Sequence, residues 1–252
     1  MVTYDYSSKN VLIIGCASGI GRATALAFAK SKARLFIADK QDDGLQEIKE
    51  EAAKYTHVNS AVVDVRDEKR LIEIHEQAVS LMGSIDCAIN NAGISGSFTN
   101  LVESETSEWN NVLDTNLKSI YISTRSQLKQ MIQQKSGSII NIGSVLSFKG
   151  GYGLSPYCSS KAGVIQLTRT AAIESAKHGI RVNAICPGGI ETPLLRKHFS
   201  EIPNYEQNLL KTIPMRRLGK PQEVAEAALW LGSQAASYVT GQSIVIDGGF
   251  SA

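Results

Sequence analysis

Short apolar runs alternate with longer amphipathic ones along this chain. Residues 11–14, 35–38, 61–63, 85–89, 138–142, 180–185 and 243–246 carry apolar side chains mostly in succession rather than in alternation. Strands covered on both faces need that pattern, because both sides of the pleat meet protein. Between them, amphipathic segments predict helices over 20–31, 42–54, 68–82, 108–134, 156–177 and 222–231. Strand–helix alternation of this kind predicts an α/β fold, a doubly wound parallel sheet with helices on both faces. No Pro/Ser-rich linker, composition break or short repeat divides the 252 residues, so one domain spanning 1–252 is expected.

The bulk numbers narrow the class of partner. A formal net charge of +2 gives no reason to expect nucleic acid or an anionic membrane, and pairs such as Arg216-Arg217 are too short for a binding patch. Cys16, Cys87, Cys158 and Cys186 lie far apart, without CxxC or metal-type spacing, which fits free thiols in a reducing compartment and no metal site. Residues 1–9 lack a basic start and an apolar stretch, and no run approaches membrane-spanning length. The expectation is a cytoplasmic protein.

The first strand runs into Gly15-Cys16-Ala17-Ser18-Gly19-Ile20-Gly21, and a helix rich in small residues follows. Glycines there let backbone N–H groups approach a pyrophosphate while the helix N-terminus faces the anion. Tight strand–helix turns also use glycine for purely structural reasons. Asp39 ends the second strand, 18 residues after Gly21. A carboxylate there accepts hydrogen bonds from ribose hydroxyls and repels a 2′-phosphate, so NAD is favoured over NADP. Lys40 follows directly and pulls the other way; a solvated strand-end aspartate is the plainer alternative.

Tyr157 and Lys161 lie four residues apart, on one face of a helix for which Ser155 and Pro156 read as N-cap and first-turn residues. Ser144 follows the strand 138–142, and strand ends in such a sheet face the cofactor crevice. A tyrosine has a pKa of about 10, and a neighbouring ammonium favours its phenolate, as acid–base work near neutrality requires. Tyr-x-x-x-Lys alone is a common chance match.

Together the glycine loop, Asn90-Asn91-Ala92-Gly93, Asn116, Ser144, Tyr157-x-x-x-Lys161 and Pro187-Gly188 resemble the short-chain dehydrogenase/reductase family. The likeness runs from about Lys9 to Gly249, including an ending similar to the C-terminal strand of many members. It implies a Rossmann-type sheet and a nicotinamide-dependent oxidoreductase. By the same resemblance, Tyr157 exchanges a proton with the substrate oxygen and Ser144 hydrogen-bonds that oxygen. Lys161 contacts the nicotinamide ribose and lowers the tyrosine pKa, and Asn116 positions a water leading from Lys161 to solvent. Ser18 and Ile20 contact the phosphates and the nicotinamide side, and Asp64 and Val65 flank the adenine. Asn91 and Gly93 line the crevice, and Ile190 and Thr192 hold the carboxamide.

Each residue has a blander reading. Asn116 can satisfy a helix kink, Ser144 a turn cap, Asp64 the cap of the next helix, and Thr192-Pro193 a helix start. Two departures from the family pattern stand out. Ile14 replaces the usual threonine, removing a hydroxyl that helps order the turn, and Lys32 sits where a left-handed helix end favours glycine.

Substrate choice is expected to lie in 94–100, 145–152 and 189–214, the last a lid whose apolar residues at roughly helical spacing suggest a largely non-polar pocket. Arg196, Lys197 and His198 read as a solvated outer face. Many relatives are homotetramers, and the helices 108–134 and 156–177 carry more apolar residues than one buried face needs. The leading expectation is an NAD(H)-dependent enzyme interconverting a secondary alcohol and a ketone. An NADPH-dependent 3-oxoacyl-thioester reductase is the alternative chemistry. A non-catalytic NAD-binding sensor would be expected to lack Tyr157 or Lys161, and a methyltransferase gives no reason for Ser144, Tyr157 and Lys161 together.

Overall fold

In the computed structural model, which describes residues 4–252 apart from the side chain of Glu201, seven strands form one parallel sheet. They are β1 (Asn10–Ile14), β2 (Arg34–Asp39), β3 (Val58–Val62), β4 (Cys87–Asn90), β5 (Gly137–Ile142), β6 (Ile180–Pro187) and β7 (Ser243–Ile246), in spatial order β3-β2-β1-β4-β5-β6-β7. The chain is an α/β doubly wound protein, as its apolar runs predict. Residues 1–3, part of the polar 1–9 stretch, lie outside the described residues.

Both faces are covered because each strand sends successive side chains to opposite sides. Val11 and Ile13 join one core with α1 (Gly19–Lys30), α2 (Asp42–Ala53) and α9 (Pro221–Gly232). Leu12 and Ile14 join the other, with α3 (Glu68–Met82), α5 (Ser119–Gln134) and α6 (Ser155–Ser175). Three short helices complete the count of named elements: α4 (Thr106–Leu113), α7 (Pro193–Glu201) and α8 (Tyr205–Thr212). Strand order reverses between β1 and β4, and a doubly wound sheet opens its ligand crevice at the carboxyl ends of strands at such a point.

Several sequence expectations shift. β3 occupies 58–62 rather than 61–63, because Val58–Val62 pair in register with Leu35–Asp39 through the polar Asn59 and Ser60, which carry no hydropathy signal. β4 begins at Cys87 rather than at Ile85, whose backbone N–H and C=O are both held by the Gln134 side chain. The helix expected over 108–134 is broken by a π turn, Asp114–Lys118. Leu154, not Ser155, is the N-cap of α6, and the Ser155 hydroxyl makes no cap bond. Asp67, not Asp64, caps α3 by accepting from Arg70 N–H. The 189–214 stretch forms α7 and α8 as two helices.

Both departures from the family pattern have visible consequences. Lys32 adopts the left-handed conformation at φ +70° where glycine costs less. Ile14 is buried in the core, and the turn after it is held instead by Gly15 N–H donating to Ala38 O at 2.8 Å and Ala17 N–H donating to Asp39 at 2.9 Å.

A buried polar ladder crosses the sheet beneath the crevice. His75 Nδ1 bonds Leu71 O at 2.7 Å, so Nε2 accepts from Gln127 at 3.2 Å. Gln127 exchanges two bonds with Asn90; Asn90 reaches Asn141 and Asn141 reaches Thr168. Burial pushes the His75 pKa down to about 4, so the folded protein resists the proton that the unfolded chain accepts near 6.5. The stabilisation from neutral His75 is therefore complete above pH 6.5 and is lost as pH falls toward 4, about 3 kcal/mol in all. Denaturant midpoints measured from pH 7.5 to 4.5 should fall, and His75→Gln, which keeps an amide for Gln127 but cannot titrate, should flatten that slope. An unchanged slope would remove His75 from the acid response.

Candidate active site

The crevice at the β1/β4 reversal is a cavity of about 490 Å³. Every residue expected from the sequence to act at the site borders it except Gly21 and Asn116. Gly15, Ser18, Gly19 and Ile20 form the floor where α1 begins. Gly15 (φ +87°) lies against β4's exit: a Cβ there would come within 2.6 Å of Ala92 Cα. Gly21 is buried below, where a Cβ would strike the Gly15 carbonyl. The α1 N-terminus has no side-chain cap and no acidic residue in its first turn, so its free N–H groups face the cavity beside Ser18. That donor set fits a pyrophosphate.

At the end of β2, Asp39 uses one oxygen for Ala17 N–H and the other for Gln41 N–H at 3.0 Å. Each oxygen keeps a lone pair for a ribose hydroxyl. Asp64 is bound by Arg66 through Nε and Nη2, and that guanidinium holds its carboxyl down to about 2. Val65 is a buried wall beside it. Asn91 ties its side-chain amide to Gly15 O, while Gly93 contributes bare backbone. On the far wall, Pro187 and Gly188 end β6, Ile190 is buried, and Thr192 caps α7 by accepting from Leu195 N–H.

Ser144, Tyr157 and Lys161 meet on the β5 side. Ser144 Oγ accepts from Leu146 N–H at 3.1 Å, which leaves its own proton to donate. It sits beside the Tyr157 hydroxyl and favours ionisation, but desolvation dominates and raises the Tyr157 pKa. Lys161 is almost fully buried and donates to Ile142 O at 2.8 Å, with Nζ 5.9 Å from the Tyr157 ring centre. Burial pulls its ammonium down to about 8. Asn116 sits behind this wall, in the π turn. Its Oδ1 accepts from Ile94 N–H at 2.8 Å, and its Nδ2 donates to Ile94 O at 2.8 Å and to Ser160 Oγ at 3.1 Å.

A family model described as enoyl-(acyl carrier protein) reductase matches residues 15–251, spanning the whole of this site. The chain belongs to the short-chain dehydrogenase/reductase family. It is 42% identical over 242 residues to a 3-oxoacyl-[acyl-carrier-protein] reductase, FabG, of Thermotoga maritima, covering 96% of this chain and 97% of that protein. Among solved structures it is similar to levodione reductase, with TM-score 0.94, 34% identity and coverage of 97% and 98%. A short-chain type dehydrogenase/reductase from Mycobacterium marinum superposes with TM-score 0.93 at 34% identity, covering 98% of this chain and 97% of that one. As a short-chain dehydrogenase/reductase the chain is an oxidoreductase, and the family works with nicotinamide cofactors on small molecules. Among the described residues no helix is long and apolar enough to cross a membrane.

The solvated-face expectation fails for His198, which turns inward and is 7% exposed, while Arg196 stays outside and pairs with Glu191. The spacing held a signal: His198 follows Leu194 and Leu195 at four and three residues, one helical face. Tyr205 and Phe250 also line the cavity. Phe250, in the C-terminal tail, lay outside every segment expected to choose substrate, and no local pattern marks it.

Asn116→Ala should leave the half-buried Ile94 N–H and C=O without their side-chain partner, at ~0.5–1.5 kcal/mol for each hydrogen bond lost. Thermal unfolding of the variant should begin several degrees lower, at ~2–4 °C per kcal/mol for a chain of this size. An unmoved Tm would show that the clamp is not needed.

Proposed function

We propose that this short-chain dehydrogenase/reductase is an NAD(H)-dependent enzyme that interconverts a secondary alcohol and a ketone, with Tyr157 as general acid and base. The observation that carries the reading is the convergence of Ser144, Tyr157 and Lys161 on the cavity that also holds the bare α1 N-terminus and Asp39. A bound nicotinamide supplies or accepts the hydride at the carbinol carbon. Gly15, Ser18, Gly19 and Ile20 would hold its pyrophosphate, Asp39 the adenosine ribose, Asp64 and Val65 the adenine edge. Asn91, Gly93, Pro187, Gly188, Ile190 and Thr192 would flank the remainder.

Ser144 donates to the substrate oxygen and keeps it in line with the Tyr157 hydroxyl. In reduction, Tyr157 gives its proton to that oxygen as the carbon gains the hydride; in oxidation it takes the proton back. Burial keeps the phenol protonated at neutral pH, which suits the reductive direction. The Lys161 ammonium stabilises the phenolate left behind. Asn116, tied to Ile94 and Ser160 at the π turn, would position a water leading from Lys161 to solvent.

A second reading, reduction of a 3-oxoacyl thioester with NADPH, draws on the likeness to FabG of Thermotoga maritima. Asp39 weighs against it, since its charge opposes a 2′-phosphate. We read the chain as one catalytic unit and as a homotetramer. The exposed Tyr121 and Ile132 on α5 and Ile173 on α6 support assembly, and four free cysteines support a cytoplasmic setting.

Reduced-nicotinamide absorbance with a panel of ketones tests the mechanism. Tyr157→Phe should lower turnover about 10²- to 10⁴-fold, the usual size of proton-transfer catalysis, while NADH affinity stays within about threefold. Near-normal rates in that variant would sink the mechanism. Asp39→Ala should narrow the NADH-over-NADPH preference about tenfold or more, the size of a charged hydrogen bond. The same ratio before and after would show that Asp39 does not read the ribose.

A further inference from the structure

Toward α7 and α8 the cavity is walled by Leu146, Leu154, Leu194, Leu195, Leu209 and Phe250. Its polar groups there are few. Ser95 Oγ donates to Gly96 O at 3.1 Å and so accepts from His198 Nε2 at 2.9 Å, a bond that ties α7 to the loop after β4. Phe98 meets the His198 ring edge-on at 4.7 Å. Tyr205, at the start of α8, packs into the same cluster, 5.8 Å from Phe98, 6.1 Å from His198 and 6.0 Å from Phe199 between ring centres. Three aromatic neighbours fix the Tyr205 ring.

Its hydroxyl is in a different situation. Among the described residues none hydrogen-bonds it, and desolvation alone acts on it. Tyr205 borders the same cavity as Tyr157, and its charge would reach the Tyr157 phenol. Two phenols thus share one chamber. Among the described residues the cavity-lining lysines are Lys40, beside Asp39, and Lys161, which donates to Ile142 O, and no described arginine lines it. Among the described residues lining this end there is no lysine or arginine, and a carboxylate or phosphate on the substrate would meet only His198, whose Nε2 is bonded to Ser95.

We propose that Tyr205 is a substrate-binding, specificity-determining residue, and that its hydroxyl holds a second oxygen of a compact, uncharged ketone or alcohol whose first oxygen sits at Ser144 and Tyr157. The assignment rests on the oxidoreductase reading for the position of that first oxygen. A substrate with no polar group beyond that first oxygen would drive water from Tyr205 and leave the phenol unpaired in an apolar chamber. A substrate with a second carbonyl or hydroxyl replaces the lost bond. Sites that hydrogen-bond a substrate discriminate against analogues lacking the group, because the polar side chain is then stranded.

Three flexible probes test this by calorimetric titration into the protein saturated with NAD⁺, where ketones bind without being reduced. They are hexane-2,5-dione, hexan-2-one and 4-oxopentanoate. The dione should bind about three- to tenfold more tightly than the monoketone, the worth of one hydrogen bond, after a twofold statistical factor for its two equivalent carbonyls. The anionic 4-oxopentanoate should bind more weakly than the dione. Tyr205→Phe, which keeps the ring and its packing, should erase the preference for the dione. Equal affinities in the unmodified protein, a preference that survives Tyr205→Phe, or 4-oxopentanoate as the tightest ligand would each overturn the proposal. Turnover with NADH is read separately. Tyr205-dependent binding of the dione without reduction would remove the redox reading and leave this subsite standing, whereas reduction without the preference would do the reverse.

Discussion

The site depends on how closely two pieces of backbone approach at the point where strand order reverses. Asn91 and Ala92 both donate backbone N–H bonds to Ile14 O, at 2.9 and 3.1 Å, and the Asn91 side chain takes Gly15 O. No side chain fits between these strands at Gly15, and none fits at Gly21 beneath its carbonyl. The missing Cβ atoms let α1 begin directly at the strand ends, so its uncapped N–H groups open into the crevice instead of packing on protein. An uncapped helix N-terminus, the β2 carboxylate and the hydroxyl after β5 then share one cavity because the sheet brings their strands side by side.

Exclusion of water acts on the chemistry from the same place. Burial raises the Tyr157 pKa and lowers that of Lys161, each in favour of its neutral form. At Tyr157 desolvation outweighs the Ser144 hydroxyl, the neighbour that favours ionisation, while Lys161 gives one of its three N–H donors to Ile142 O. In the proposed mechanism such a site would favour giving a proton to a developing alkoxide, while the reverse step would draw on positive charge from Lys161 and from oxidised nicotinamide. The polar groups of the wall behind are paired: Asn116 closes the π turn onto Ile94 and Ser160, and the His75–Gln127–Asn90–Asn141 ladder runs beneath it. Half-satisfied networks at such depth would cost more than they contribute.

Much of this was legible in the chain. Consecutive apolar runs gave the seven strands, helical periodicity most of the helices, and the glycine turn with Asp39 one end of the cavity. Tyr157 and Lys161 could be paired because four residues is one turn of helix. Errors fell where hydropathy is silent or local: Asn59 and Ser60 hide the start of β3, and the π turn at 114–118 leaves no mark in the periodicity around it. Asp64 and Asp67 are equally good caps on paper; the pull of Arg66 on one and the backbone geometry at the other separate them.

The sequence by itself determined the fold class, the glycine turn and the Ser144, Tyr157 and Lys161 set, because periodicity, turn chemistry and motif spacing act over a few residues. Only the tertiary structure decided what faces the cavity from the lid side. His198 meets Ser95 across 103 residues of chain, and Tyr205 and Phe250 reach the cavity from a lid helix and a C-terminal tail. Whether such a side chain points to water or to a cavity depends on the element packed against it, and that neighbour lies too far along the chain for any local pattern to record.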